Sequence, residues 1–189
     1  MQMRDLVRSI EAEFGRFKAA GERAIAQASD AELTAAIAPG GNSIAVLVWH
    51  VSGNFASRFT DFLTSDGEKP WRRRDEEFDQ RGVTRAELLE KWQRGWDVLF
   101  GALAGLSDAN LQDAITIRGV PFKVHEALHR ALGHTGYHVG QIVFLAKTLR
   151  GDAWTTLSIP RGASDAYNQN PSLDRPEAHA AALKKTPAS

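Results

Sequence analysis

The chain of 189 residues contains no cysteine. Disulfides, thiolate metal ligands and a cysteine nucleophile are thereby excluded, and any metal must be held by histidine and carboxylate. There is also no excess of charge of either sign, since 23 basic residues are balanced by 23 acidic ones. That balance leaves no electrostatic footprint for nucleic acid or for an anionic membrane surface. No apolar run is long enough to span a bilayer, and the opening MQMRDLVRSIEAEF has no signal-peptide core. These absences predict a cytoplasmic protein that acts on a small molecule, with no nucleic-acid or membrane partner.

What is present is helical periodicity. Leu6, Ile10, Phe14, Phe17, Gly21, Ala24 and Ala28 recur at three- and four-residue steps. Ser29 and Glu32 then form a capping box for a short helical piece, and PGGN (39–42) breaks the chain. A second long helix over about 43–64 buries Ile44, Val48, Val51, Phe55, Phe59 and Phe62. The following polar stretch carries Arg72, Arg73 and Arg74 beside Asp75, Glu76 and Glu77, and reads as a solvated, self-neutralising loop. Thr84 and Glu87 cap a third helix, which carries Leu88, Leu89, Trp92, Trp96, Leu99 and Leu103 on one stripe, with the tryptophans expected in the core. DAITIRGVPFKV alternates and turns at Arg118-Gly119, as a small hairpin would. A fourth helix runs from about Val124 to Leu149 and stops at Gly151. The expectation is an all-α four-helix bundle as one domain over residues 1–170, with a flexible tail over 171–189.

Four histidines fall within HEALHRALGHTGYH, in two pairs with four-residue spacing. Among six histidines, about 0.2 such pairs are expected by chance, so spacing alone decides little. Direction decides more. At about 100° per residue, His134 and His138 lie roughly opposite His125 and His129 around the helix, so all four cannot share one ion. His138 falls within the apolar arc, His134 at its edge, and His129 towards the polar face. HEALH matches the zinc-peptidase pattern H-E-x-x-H formally, but the next glutamate after Glu126 is Glu177 and no third histidine has the required spacing. His50, in VWHVSGNF, supplies the inward pair with a third ligand from the second helix. Facing helices of a bundle commonly build metal sites in this way, and three neutral imidazoles with an open position are a catalytic pattern.

NSIAVLVWHVSGN (42–54), SRFTDFLTSDGEKP (57–70), ITIRG (115–119), HTGYHVGQIVFLAK (134–147) and LSIPRG (157–162) together resemble the DinB-like superfamily, in particular its DUF1572 family. The resemblance implies an up-down-down-up four-helix bundle, frequently dimeric. It also implies a metal triad of His50, His134 and His138, and leaves HEALH coincidental. Relatives include thiol-dependent S-transferases, a maleylpyruvate isomerase and members described only as metal-dependent hydrolases. The implied chemistry is therefore thiol S-transfer or hydrolysis at a divalent ion. Zinc or nickel is first in line, iron is a further option, and a low-molecular-weight thiol is a candidate cosubstrate. The competing reading is a non-catalytic, stress-related metal-binding bundle. Asn54, Asp61 and Gln141 are candidates for orienting ligands or substrate, Arg58 is expected in an ion pair, and Arg161 is a candidate anion contact in a segment that could close over the bundle mouth.

Overall fold

The computed structural model describes residues 3–174, so the expected tail lies mostly outside the described residues. Helix α1 (Asp5–Gln27) is followed by the short α2 (Asp30–Thr34), which opens on the predicted Ser29–Glu32 capping box. Ser43 caps α3 (Ile44–Phe59), its side chain accepting from Val46 N. Thr84 and Glu87 cap α4 (Arg85–Ala104) reciprocally. Strands β1 (Ala114–Ile117) and β2 (Val120–Lys123) pair antiparallel, with Ile117 opposite Val120. Arg118 and Gly119, with φ of 57° and 72°, form the connecting turn. Positive φ at both central residues is what the twist of a two-residue hairpin loop demands. Helix α5 (Val124–Arg150) is the longest, and α6 (Ser164–Asn168) is a single turn beyond it.

Cross-helix contacts fix the directions. Arg4, at the start of α1, donates to the carbonyls of Leu103 and Leu106 at the end of α4, while Arg85, at the start of α4, donates to Ile25 and Ala28 at the end of α1. Those two helices are therefore antiparallel. Lys91 reaches the Trp49 ring, Gly95 packs against Ser52 and Trp96 against Phe55, so position rises together along α3 and α4 and these two run parallel. His50 meets His134 and His138, whereas Phe59, further along α3, lines the same cavity as Ala127, nearer the start of α5, so α3 and α5 are antiparallel. The result is the expected up-down-down-up all-α bundle, with one hairpin. Because α3 and α4 run parallel, the chain must return along the bundle between them, which requires the long connection over 60–84, and that connection shapes the functional site.

The core is apolar and aromatic. Trp92 and Trp96 are buried, and Trp96 packs against Phe55 and Phe14 at ring-centroid distances of 4.8 and 6.4 Å. A Cβ on Gly95 would stand 2.7 Å from the Ser52 Cα, so only glycine lets α3 and α4 approach so closely.

Two expectations change. Helix α3 ends at Phe59 rather than near residue 64, because Asp61 turns left-handed (φ 50°) and its carbonyl accepts from Thr64 N and Ser65 N. Asp61 is consequently exposed and lines a groove with Gly101 and Gly105, not the cavity beside His50 and His134, which removes it from the candidate site. The segment after α5 lies along α1 instead of over the site. Gln27 and Thr155 exchange hydrogen bonds, Arg23 donates to Leu157 O, and Arg161 is exposed.

Candidate metal centre

Helices α3 and α5 bring His50, His134 and His138 together, with one donor atom of each within 4.8 Å of the others. His50 and His138 are buried and His134 is half-buried. The Nε2 atoms of His50 and His134 stand 3.1 Å apart. Two imidazole nitrogens at about 2.0–2.1 Å from a shared ion would be that far apart at an angle of about 100°, between octahedral and tetrahedral values.

The remaining ring nitrogens orient the set. His50 Nδ1 donates to Glu77 Oε2 at 2.9 Å, and His138 Nδ1 donates to Gln141 Oε1 at 2.8 Å. Both bonds leave the Nε2 lone pair available for an ion. His134 Nδ1 is buried and has no partner among the described residues. Burial and the neighbouring His138 and His50 push the His134 pKa down from 6.5 to about 3, and burial also lowers that of His138. Both imidazoles are therefore neutral near pH 7, the form in which they bind metal. Donor type, convergence and protonation all fit a divalent ion.

Glu77 is the residue that sequence reasoning missed. The short 3-10 turn Asp75–Phe78 folds back onto α3, placing Phe78 against the His50 ring at 4.6 Å. Arg72 grips Glu77 with two hydrogen bonds, Nε to Oε1 and Nη2 to Oε2, both 2.9 Å. The two side chains are only 2% and 9% exposed. Arg73, Arg74, Asp75 and Glu76 are exposed as expected of a solvated loop, but Arg72 and Glu77 instead form a buried relay to His50, which gives that histidine an oriented acceptor. Burial drives the Glu77 pKa up, but the bonds from His50 and Arg72 outweigh it and leave the carboxyl below its ordinary value. Gly53 makes the approach possible, since a Cβ there would meet Glu77 Oε1 at 2.2 Å. A glycine in mid-helix costs about 1 kcal/mol relative to alanine and was the signal that something approaches closely.

The HEALH pair is explained without metal. Glu126 accepts from Lys123 N to cap α5, His125 Nδ1 donates to Leu111 O, and His129 is exposed. Among the described residues, neither histidine joins a group of three potential ligands.

A family model described as "Protein of unknown function (DUF1572)" matches residues 2–163. The chain belongs to the DUF1572 family. No curated protein and no solved structure matches it. The DUF1572 match spans the whole bundle and all three histidines, and the fold is compatible with the wider DinB-like superfamily. No helix among the described residues is long and apolar enough to cross a membrane.

The neutral histidines give the metal-free protein a defined pH response. The unfolded chain takes up protons near pH 6.5, whereas folded His134 resists protonation down to about pH 3. Stability therefore falls as pH is lowered through this window, and the depressed Glu77 carboxyl adds to the loss at the acid end. With a chelator present, melting temperature should decrease steadily from pH 7 to pH 5. A flat profile would mean that the imidazoles are not held neutral.

Proposed function

We propose that this DUF1572 protein is a metal-dependent enzyme in which His50, His134 and His138 hold a divalent ion, zinc or nickel in the first instance. The observation that carries the reading is the convergence of the three side chains, with the Nε2 of His50 and of His138 left free by the bonds to Glu77 and Gln141. A bound divalent ion would supply Lewis acidity, lowering the pKa of a thiol or water near neutral pH. The residues of the chain do the rest. Glu77 and Arg72 fix the His50 tautomer, Gln141 fixes that of His138, and Asn54 reaches the cavity beside His50.

Of the two reactions, S-transfer stands ahead of hydrolysis. Among the described residues no carboxylate lines the cavity next to the histidines, and Glu77 is already held by Arg72 and His50. Attack by water benefits from a general base, whereas a thiol deprotonates with little help. In the S-transfer reaction the thiolate forms a C–S bond to an electrophilic carbon, and the leaving group departs with its electron pair. Incubation with an electrophilic aryl or alkyl halide and a panel of low-molecular-weight thiols tests this choice. Thiol-dependent halide release, absent from His50→Ala, is expected; turnover unaffected by any thiol would shift the reading to hydrolysis.

A cytoplasmic location and a homodimer belong to the same proposal. Tyr137 and Phe144 are 64% and 60% exposed along one face of α5, a surface that suits a second copy. Sedimentation of wild type and of Phe144→Glu checks the assembly, with a shift from dimer to monomer expected.

A further inference from the structure

Beside His50 and His134 opens a cavity of about 220 Å³. At roughly 30 Å³ per water it has room for about seven waters, the volume of a small organic molecule. Its polar wall is unusual in kind. Arg58, Arg72, Arg74, Arg118 and Arg130 all line it, and among the described residues no carboxylate does. Phe59, Phe62 and Ile117 supply an apolar wall.

These arginines are not equally engaged. Arg72 is matched by Glu77, and Arg74 touches the exposed Asp75 at 3.4 Å. Arg58 and Arg118 share a single oxygen of Glu68 at 3.0 Å each. Arg130 lies over the Phe122 ring at 5.6 Å, and no carboxylate among the described residues pairs with it. The side-chain pairs around the cavity thus leave a surplus of two positive charges.

Arg118 is placed there by construction. It occupies the left-handed turn of the hairpin, where Asp66 accepts from the backbone N–H of Arg118 and Gly119 at 2.8 Å each and from Glu68 N. These backbone bonds hold the Asp66 carboxyl well below the usual carboxylate range. The stretches SDGEKP and TIRG, far apart in the chain, therefore meet to aim one guanidinium at the cavity. Arg130 sits four residues before His134 on α5, one helical turn away on the same face.

We propose that this cavity is the substrate's anion subsite, binding the carboxylate of a small organic acid on Arg118 and Arg130 with its apolar body against Phe59, Phe62 and Ile117. Guanidinium forks match carboxylate geometry, and a desolvated apolar wall strengthens the contact. The carboxylate comes either from the electrophile or from the thiol, and in both cases it orients the reacting end towards the histidines. Which end reacts rests on the metal reading above, whereas the anion contact can be measured without it.

Calorimetric titration with butyrate and with butyramide, its neutral counterpart, tests the subsite on the protein as purified and after chelation. Butyrate is expected to bind at least tenfold more tightly than butyramide in both states. The Arg118→Gln/Arg130→Gln double variant, altered only at exposed side chains, should lose that preference while keeping wild-type metal content. Equal binding of the two probes, or a double variant within twofold of wild type, would overturn the subsite. Butyrate binding that vanishes on chelation but survives in the double variant also overturns it, because the carboxylate would then be a metal ligand. Protein that holds no metal yet retains arginine-dependent butyrate binding would overturn the metal reading alone. A titration with 3-mercaptopropionate separates the sources. Tighter binding than butyrate, in competition with it, assigns the carboxylate to the thiol; equal binding assigns it to the electrophile.

Discussion

Replacing His138 or His50 by alanine should strip the protein of metal. Wild type purified without a histidine tag is expected to carry about one equivalent of divalent ion by elemental analysis, and each variant none above background. Removing an outer partner of a metal ligand typically costs about 10–100-fold in affinity, so deletion of one of three ligands should exceed that range. Stability supplies a second readout. A ligand present at about 1,000 times its dissociation constant stabilises the folded state by about 4 kcal/mol, and chelation should remove that amount from wild type only. His134→Ala sharpens the comparison. In metal-free protein the His134 Nδ1 is buried without a partner among the described residues and its Nε2 meets His50 Nε2 at 3.1 Å, so removing the ring should cost only about 1 kcal/mol. With metal present the same substitution should cost the full metal-linked stability. His125→Ala is the control, because its ring bonds to Leu111 O and stands apart from the three histidines. Wild-type protein that neither carries nor acquires metal would remove the basis of the enzyme reading and favour a bundle without catalytic function.

The reasons for success and failure in the sequence are physical. Helix periodicity exposed α1, α3, α4 and α5, since each buries one apolar stripe, and both capping boxes marked their N-termini correctly. The inward direction of His134 and His138 was legible because a regular helix fixes azimuth residue by residue. The buried relay was not. Arg72 and Glu77 sit in a charge-rich run where every cation has an anion nearby in sequence, and nothing in that run distinguishes a buried pair from a solvated one. The pairing is set by a 3-10 turn, which has no apolar period to read. The end of α3 was misplaced for a related reason: Phe62 continues the apolar spacing and is buried, but from the turn beyond the helix. The arginine-lined cavity was equally hidden, because Arg118 and Arg130 come from a hairpin tip and a helix that meet only in the folded chain.

The relay can be broken from either side, and the two ways should agree. Glu77→Gln preserves volume but leaves the Arg72 guanidinium buried without a countercharge. Orphaning one member of a buried pair typically costs about 3–5 kcal/mol. A glutamine amide also has a single acceptor oxygen, so it cannot serve His50 Nδ1 and both Arg72 donors together. His50 then loses its fixed orientation, and metal affinity should fall by about 10–100-fold although every ligand remains. Gly53→Ala changes no charge at all. In an ordinary helix, alanine in place of glycine stabilises by about 1 kcal/mol. Here the new Cβ would lie 2.2 Å from Glu77 Oε1 and 2.7 Å from its Cδ, so the carboxylate must leave. The expected outcome is a reversed sign: chemical denaturation should show Gly53→Ala to be less stable than wild type, with a loss of metal affinity that matches Glu77→Gln. A Gly53→Ala variant that is more stable than wild type and binds metal normally would mean that Glu77 departs freely and that the relay orients nothing. Agreement between the two variants would instead tie metal affinity to the carboxylate through which the connection between α3 and α4 orients His50.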